Sequence, residues 1–210
     1  MPQNPIPIAT GLVAPNKFGL DQLDPQKSGW AVDRHGTFYT PSYLGLGAFA
    51  ANQAGTTISL FSATPGAYTG LCLSNPAAST VNLAIQNVTG AFVVNTTGIT
   101  LVGLVTGFVA AGITVHTTPL TVFSTKIGTV ITSPIIQGLA DGAATLVGVP
   151  TWTKTLAEVI TTTTANSAFN VALAGEIIIP PGGYACIGAA ITASAAAGFW
   201  GSISWEEVPV

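Results

Sequence analysis

Hydrophobic and polar residues alternate in this chain over short runs separated by turn residues. Within residues 81–85, Val81, Leu83 and Ile85 alternate with Asn82 and Ala84, which predicts a strand with one buried face. Pro and Gly occupy the breaks between such runs and predict turns there, for example at Thr64-Pro65-Gly66, Thr89-Gly90 and Pro180-Pro181-Gly182-Gly183. The pattern predicts an all-β protein, an antiparallel, jelly-roll-like β-sandwich with an extended N-terminal arm. Further strands are predicted at residues 57–63, 68–73, 91–94, 113–117, 120–124, 127–131, 171–173, 176–179, 184–189 and 200–208.

The C-terminal run predicts a strand that is built into the core. Phe199, Ile203 and Trp205 fall on one face of this run, and Ser202 and Ser204 fall on the other. Residues 153–164 are the only body segment also compatible with a helix, but their Thr and β-branched residues favour a strand.

The first 44 residues differ in composition from the rest. Pro2, Pro5, Pro7 and Pro15 favour an extended backbone, and no charged residue precedes Lys17. We therefore expect an arm over residues 1–16, which a charged segment joins to the body. The predicted division is an arm with its linking segment over residues 1–44 and a sandwich body over residues 45–210.

Charge is scarce. Only 6% of the residues are Asp, Glu, Lys or Arg, against about 25% in soluble domains, and none occurs between Arg34 and Lys126. Such a neutral surface favours coverage by identical neighbours or a larger assembly over a weakly charged monomer. The net charge of −3 and the absence of a basic cluster predict no nucleic-acid partner.

A membrane span and a secretory signal are not expected either. Residues 98–115 are almost long enough to span a bilayer, but their Gly, Thr and β-branched residues favour strands. The first residues lack both a basic stretch and a continuous apolar stretch, so we expect the chain to fold where it is made.

Residues that carry chemistry are few and dispersed. His35 and His116 are the only histidines, and no nucleophile motif or phosphate-cradling Gly loop is present. Asp141-Gly142 is interpreted as a turn, and the carboxylates Glu158, Glu176, Glu206 and Glu207 are scattered. We expect no enzyme activity, no metal and no cofactor. A hydrolase whose catalytic residues come from remote positions in the chain is kept as an alternative.

The two cysteines, Cys72 and Cys186, lie in apolar runs. They form a disulfide only if their strands are neighbours, which the sequence does not show. Two buried free thiols are the favoured interpretation.

Three stretches resemble structural proteins of tailed bacteriophages, in particular head-decoration or cement-type β-sandwich proteins. They are residues 32–39 (VDRHGTFY), residues 70–76 (GLCLSNP) running into 81–83 (VNL), and residues 181–184 (PGGY) with the ending 205–209 (WEEVP). The resemblance implies a virion component, made in the host cytoplasm, that binds the capsid exterior as a homotrimer and strengthens it. The partners of such a component would be further copies of itself and the major capsid protein. The resemblance identifies no catalytic residue in this chain.

Two hypotheses for binding residues follow. As a capsid-binding protein, the chain would use Pro5, Ile6, Pro7 and Ile8 of the arm, together with Trp30, for capsid or subunit contacts. As the alternative, a carbohydrate-binding or adhesive β-module of a head fibre or tail part would use aromatic platforms. The candidate platforms are Trp30, Tyr39, Trp152 and Trp200.

Overall fold

The computed structural model describes residues 22–23, 29–30, 46–56, 58–92, 100–110, 114–126, 136–159, 167–190 and 198–210. By its internal contacts the chain divides into two units, Met1–Tyr39 and Thr40–Val210. In the first unit, β1 (Gln22–Leu23) pairs with β2 (Gly29–Trp30) in antiparallel fashion. The predicted arm, residues 1–16, lies outside the described residues.

The second unit consists of strands. They are β3 (Gly47–Thr56), β4 (Gly66–Ser74), β5 (Val81–Phe92), β6 (Thr100–Phe108), β7 (Thr114–Pro119), β8 (Val122–Ser124), β9 (Leu139–Leu146), β10 (Thr151–Val159), β11 (Ser167–Ile179), β12 (Gly183–Ala190) and β13 (Phe199–Pro209).

These strands form two antiparallel sheets, in the order β10-β6-β12-β4-β9-β7 for the six-stranded sheet and β11-β5-β13-β3-β8 for the five-stranded sheet. From β3 to β6 the chain changes sheet at every connection. The two sheets share one hydrophobic core, so the predicted antiparallel β-sandwich is confirmed. Among the described residues, no helix of the length and apolarity needed to cross a membrane is found.

The shared core contains fully buried side chains from both sheets. Leu71 and Ile187 come from the six-stranded sheet, and Leu83, Ile203 and Trp205 come from the five-stranded sheet. In β13 the alternation predicted from the sequence is confirmed, because Ile203 and Trp205 are buried and Ser202 and Ser204 are partly exposed. Burying a Trp and several branched side chains contributes about 1.5–3 kcal/mol for each.

A second buried cluster involves alternate residues of the central strands of the six-stranded sheet. It contains Tyr68 and Cys72 of β4, Tyr184 and Cys186 of β12, and Leu146 of β9. Since Leu71 and Leu73 belong to the shared core while Cys72 between them belongs to the second cluster, β4 is buried on both faces. This explains why β4 and β12 are nearly continuous apolar runs rather than alternating ones.

The turn predicted at Thr89-Gly90 is wrong, because β5 continues through both residues to Phe92. A Cβ added to Gly90 would lie 2.5 Å from the Phe169 ring and 2.7 Å from the Phe199 ring. The glycine therefore leaves room for two aromatic rings inside a strand, and it is not a chain reversal.

Two further sequence predictions need correction. Asp141-Gly142 is not a turn but part of β9, where Asp141 is fully buried. The strand predicted at residues 57–63 is also wrong: β3 ends at Thr56, and Leu60 makes only an isolated bridge to Ala189. The Ser59 N–H instead donates to the carbonyl oxygen of Thr69 in β4, and the Ser59 carbonyl oxygen accepts from the N–H of Ala189 in β12. This segment therefore contacts two strands rather than following one.

A buried carboxylate joins the two sheets. Glu207 of β13 is fully buried, and its two carboxylate oxygens accept hydrogen bonds of 2.8–2.9 Å from the backbone N–H groups of Gln137 and Gly138. The Trp205 indole N–H donates to the same carboxylate at 3.2 Å. Because residues 137–138 lead directly into β9, Glu207 fixes the start of a strand in the opposite sheet.

We predict that Glu207→Gln destabilises the fold by about 2–3 kcal/mol, because the amide carries no charge and directs an N–H group toward backbone donors. Its sequence neighbour Glu206 is the matched control, since it is partly exposed and its carboxylate accepts a 3.3 Å hydrogen bond from the side-chain amide of Gln86. Glu206→Gln should cost under about 0.5 kcal/mol. Equal urea midpoints for the two variants would contradict the role given to Glu207.

Candidate functional site

Charge in the second unit is sparse and unevenly placed. Between residues 45 and 210 the ionisable Asp, Glu, Lys and Arg side chains are Lys126, Asp141, Lys154, Glu158, Glu176, Glu206 and Glu207. Two of these, Asp141 and Glu207, are fully buried. Only five charged side chains therefore reach the solvent from this unit.

Four of those five lie on or beside edge strands. Lys154 and Glu158 are in β10, Glu176 is in β11, and Lys126 follows β8. An ion pair between Lys154 and Glu176 connects the edge strands of the two sheets. Charged residues on an edge discourage pairing with a strand of another molecule. Three of the four sheet edges, β10, β11 and β8, thus have a charged residue on or beside them, while β7 has no Asp, Glu, Lys or Arg.

The β11 edge carries an additional irregularity. Its register against β5 passes from Ala172 opposite Asn87 to Ile177 opposite Ile85, so several residues of β11 have no partner in β5. Within this bulge Ala174 has a φ of 49° and Gly175 has a φ of 83°. A bulge of this kind interrupts the row of free backbone groups on the edge.

The outer face of the five-stranded sheet is almost uncharged. Asn170, Thr89, Ser202 and Ala51 oppose one another across four strands, and Thr89 and Ser202 share a 2.6 Å hydroxyl hydrogen bond. The next row contains Asn87, Ser204, Phe49 and Phe123. We call these two rows the neutral face. Glu206, farther along β13, is the only charged side chain on this side of β13.

Three exposed apolar side chains meet at one groove. Phe108 ends β6, Val149 lies between β9 and β10, and Ile178 lies near the end of β11; they are 57%, 67% and 57% exposed. All three line a groove of about 560 Å³. Side chains of this size rarely stay exposed together unless another molecule covers them. We call this feature the edge groove.

The polar side chains of the edge groove carry hydroxyls, except for Glu176, whose carboxylate pairs with Lys154. Thr106 and Thr153 line it and share a 2.6 Å hydroxyl hydrogen bond. Tyr184 is buried at its wall, and its hydroxyl, which lies over Gly107, finds no hydrogen-bond partner among the described residues. Burial, with a smaller effect of Cys186 and Cys72, raises the pKa of Tyr184, so this hydroxyl stays protonated and can donate.

Trp200 marks a second, shallower groove. Its side chain is 45% exposed, and it lines a cavity of about 390 Å³ together with Thr89, Ala168, Phe169 and Asn170. This groove is continuous with the neutral face, since Thr89 and Asn170 belong to both. An exposed indole beside hydroxyl and amide groups is an arrangement that stacks on sugar rings.

The sequence-predicted site residues fall mostly outside the described residues. This applies to Pro5, Ile6, Pro7 and Ile8, and to His35 and Tyr39. Trp30 is described only as part of the β2 backbone, opposite Gln22, and His116 only as part of the β7 backbone, opposite Ala144. These assignments stay predictions.

Of the remaining aromatic candidates, Trp152 is only partly exposed. Its ring packs edge-on against Phe61 at 5.8 Å, and its indole N–H donates to Thr155. Trp152 therefore supports the body more than it offers a platform, whereas Trp200 keeps the exposure expected of one.

Three comparisons, with models of protein families, with curated proteins and with solved structures, gave no match to this chain. The resemblance to phage decoration proteins therefore stays a prediction. In the described part of the chain, no three His, Cys, Asp or Glu side chains come together in a group able to hold a metal ion.

Sequence reasoning did not find the edge groove. Phe108, Val149 and Ile178 are far apart in the chain, and each lies in an apolar run that looks like core. The one local signal is Val149-Pro150, an apolar residue in a connection between two strands, where polar residues are usual.

Proposed function

We propose that this chain is a non-enzymatic structural subunit of a bacteriophage virion. It associates with copies of itself as a homotrimer and binds the outside of the capsid, which it stabilises as a decoration protein. The protein is made in the host cytoplasm and acts on the virion. It uses no cofactor, nucleic acid or membrane.

The observation that carries the proposal is the distribution of charged and apolar side chains on the second unit. Four of the five solvent-accessible charges lie on or beside edge strands, the neutral face has none, and the edge groove exposes Phe108, Val149 and Ile178 with Glu176 as its charged lining residue. Guarded edges make strand addition unfavourable, and uncharged faces make face-to-face packing inexpensive. This favours closed association through faces, as in a symmetric oligomer.

We assign the edge groove to contacts between copies. A neighbouring chain that covers Phe108, Val149 and Ile178 removes their apolar area from water, which contributes about 25 cal/mol for each Å². The groove's hydroxyls can be satisfied by neutral backbone or side-chain groups, and Glu176, the charged residue of its lining, already pairs with Lys154, so the partner needs no charge. A second copy of this chain, which carries few charged side chains, fits these requirements.

The arm supplies the contacts to the capsid in this proposal. Pro5, Ile6, Pro7 and Ile8 form an apolar, uncharged segment, and its prolines favour an extended backbone. Such a segment binds by laying small apolar side chains and backbone groups along a neighbouring subunit. Trp30 is the additional candidate for a buried anchor at that contact. Many symmetric copies on one particle add avidity.

We predict that an Ile6→Glu/Ile8→Glu variant binds stripped capsids of the encoding phage at least about 30-fold more weakly than the unaltered protein, because two carboxylates would be buried without partners. Co-sedimentation over a concentration series measures this. The matched control is Gln3→Glu/Asn4→Asp, which adds the same charge at polar positions of the same segment and should lose under about threefold. Unchanged binding by the Ile variant would rule out the arm as the capsid contact.

Carbohydrate binding is the second candidate function, and the exposure of Trp200 beside Thr89 and Asn170 is the observation that favours it. An adhesive module of a head fibre or tail part would stack a sugar ring on the indole and bind its hydroxyls with the neighbouring polar side chains.

We predict for this second function that calorimetric titration with a panel of soluble oligosaccharides detects binding, and that Trp200→Ala weakens it at least about tenfold. Phe123→Ala is the control, because Phe123 is a similarly exposed ring elsewhere on the same sheet, where it stacks on Phe49. Absence of heat with every sugar at millimolar concentration would remove this candidate.

A further inference from the structure

The two cysteines lie directly opposite each other on neighbouring strands. Cys186 of β12 is the register partner of Cys72 of β4, although 114 residues separate them in the chain. Directly opposed residues of an antiparallel pair have Cα atoms about 4.5–5.5 Å apart. That separation lies inside the range of about 4.4–6.8 Å that a disulfide requires. The backbone is therefore already in place for a covalent link.

The side chains meet this requirement as well. The two sulfur atoms lie 2.6 Å apart, and the structure records both residues as free, buried thiols. A disulfide bond is about 2.05 Å long, so closing it needs a movement of roughly half an ångström. No strand has to change register.

Tyr68 holds the backbone around this pair. Its hydroxyl donates to the carbonyl oxygen of Ile187, the residue after Cys186, and lies 3.2 Å from the carbonyl oxygen of Leu71, the residue before Cys72. One phenol thus contacts both strands beside the thiols. This support limits the freedom of the two cysteines to point away from each other.

We propose that Cys72 and Cys186 are a redox modification site, which a small-molecule disulfide such as oxidised glutathione converts to an intramolecular disulfide between β4 and β12. One protein thiol loses its proton and attacks a sulfur of glutathione disulfide, which forms a mixed disulfide and releases one glutathione. The second protein thiol loses its proton and attacks the protein sulfur of that mixed disulfide, which releases the second glutathione. The two protein thiols are oxidised and one glutathione disulfide is reduced.

Burial sets when this exchange occurs. Burial and the neighbouring Cys72 raise the pKa of Cys186, so Cys186 carries little thiolate in the folded chain. Both cysteines are also buried, which closes the pair to a molecule as large as glutathione. The exchange therefore takes place while the strands are open, during folding or in dilute denaturant. Once formed, the buried disulfide is protected from reductants in the native state. The inference does not depend on the proposed function.

The test oxidises the full-length reduced chain with glutathione disulfide in dilute urea, refolds it, and alkylates it in strong denaturant before intact-mass analysis. We expect a monomeric product that has lost two hydrogen atoms and takes up no alkyl group, with a melting temperature about 10 °C above that of the reduced chain. It should resist dithiothreitol in buffer and react with it in denaturant.

Cys72→Ser and Cys186→Ser are the matched controls. Each should stop at the mixed disulfide and retain one glutathione after the same treatment, because the second thiol that would release it is missing. Neither should show a higher melting temperature. The proposal fails if the oxidised wild-type chain takes up two alkyl groups, retains glutathione, or forms disulfide-linked dimers. It also fails if the intramolecular disulfide forms but leaves the melting temperature unchanged or lower.

Discussion

The second unit must be held together, and kept in solution, with five charged side chains at its surface. In an ordinary domain, interspersed charges keep molecules apart and prevent sheets from joining edge to edge. Here four of the five charges lie on or beside edge strands, and the bulge at Ala174-Gly175 protects the β11 edge further. The sheet faces receive almost none. The arrangement of neutral faces, guarded edges and an exposed apolar groove follows from this scarcity of charge.

Inside the sandwich, hydrogen bonds from neutral groups hold a buried carboxylate. Glu207 is fully buried, and its carboxylate is held by the backbone N–H groups of Gln137 and Gly138 and by the Trp205 indole. The six-stranded sheet is also unusual, because β4 and β12 are covered on both faces. The second buried cluster positions the Cys72 and Cys186 thiols against each other, and Tyr68 fixes the strands beside them.

The fold class was predictable because strand alternation and turn residues are local signals. Residues 81–85 and 200–208 alternate as strands with one buried face do, and both lie in strands of the sandwich. Gly90 and Asp141-Gly142 misled because their roles are tertiary: Gly90 makes room for Phe169 and Phe199, and Asp141 is buried inside β9. Local sequence does not distinguish a glycine that turns the chain from one that accommodates a ring.

The candidate sites were less predictable than the fold. The exposure of Trp200, the opposition of Cys72 and Cys186, and the meeting of Phe108, Val149 and Ile178 depend on strand order and register. A local sequence pattern encodes neither the order of the strands nor their register. Composition did indicate one property that the structure retains. The stretch between Arg34 and Lys126, which contains no charged residue, supplies five residues of the neutral face, Phe49, Ala51, Asn87, Thr89 and Phe123.

The central claim is that other copies of this chain cover its edge groove. The mass of the protein in solution tests this claim most directly. Multi-angle light scattering over a dilution series should give a trimer that persists to micromolar concentration. Val149→Glu, at the edge groove, should shift the protein toward monomer, whereas Val147→Glu, exposed in the same connection but outside the groove lining, should not. A wild-type monomer at every concentration would contradict the account.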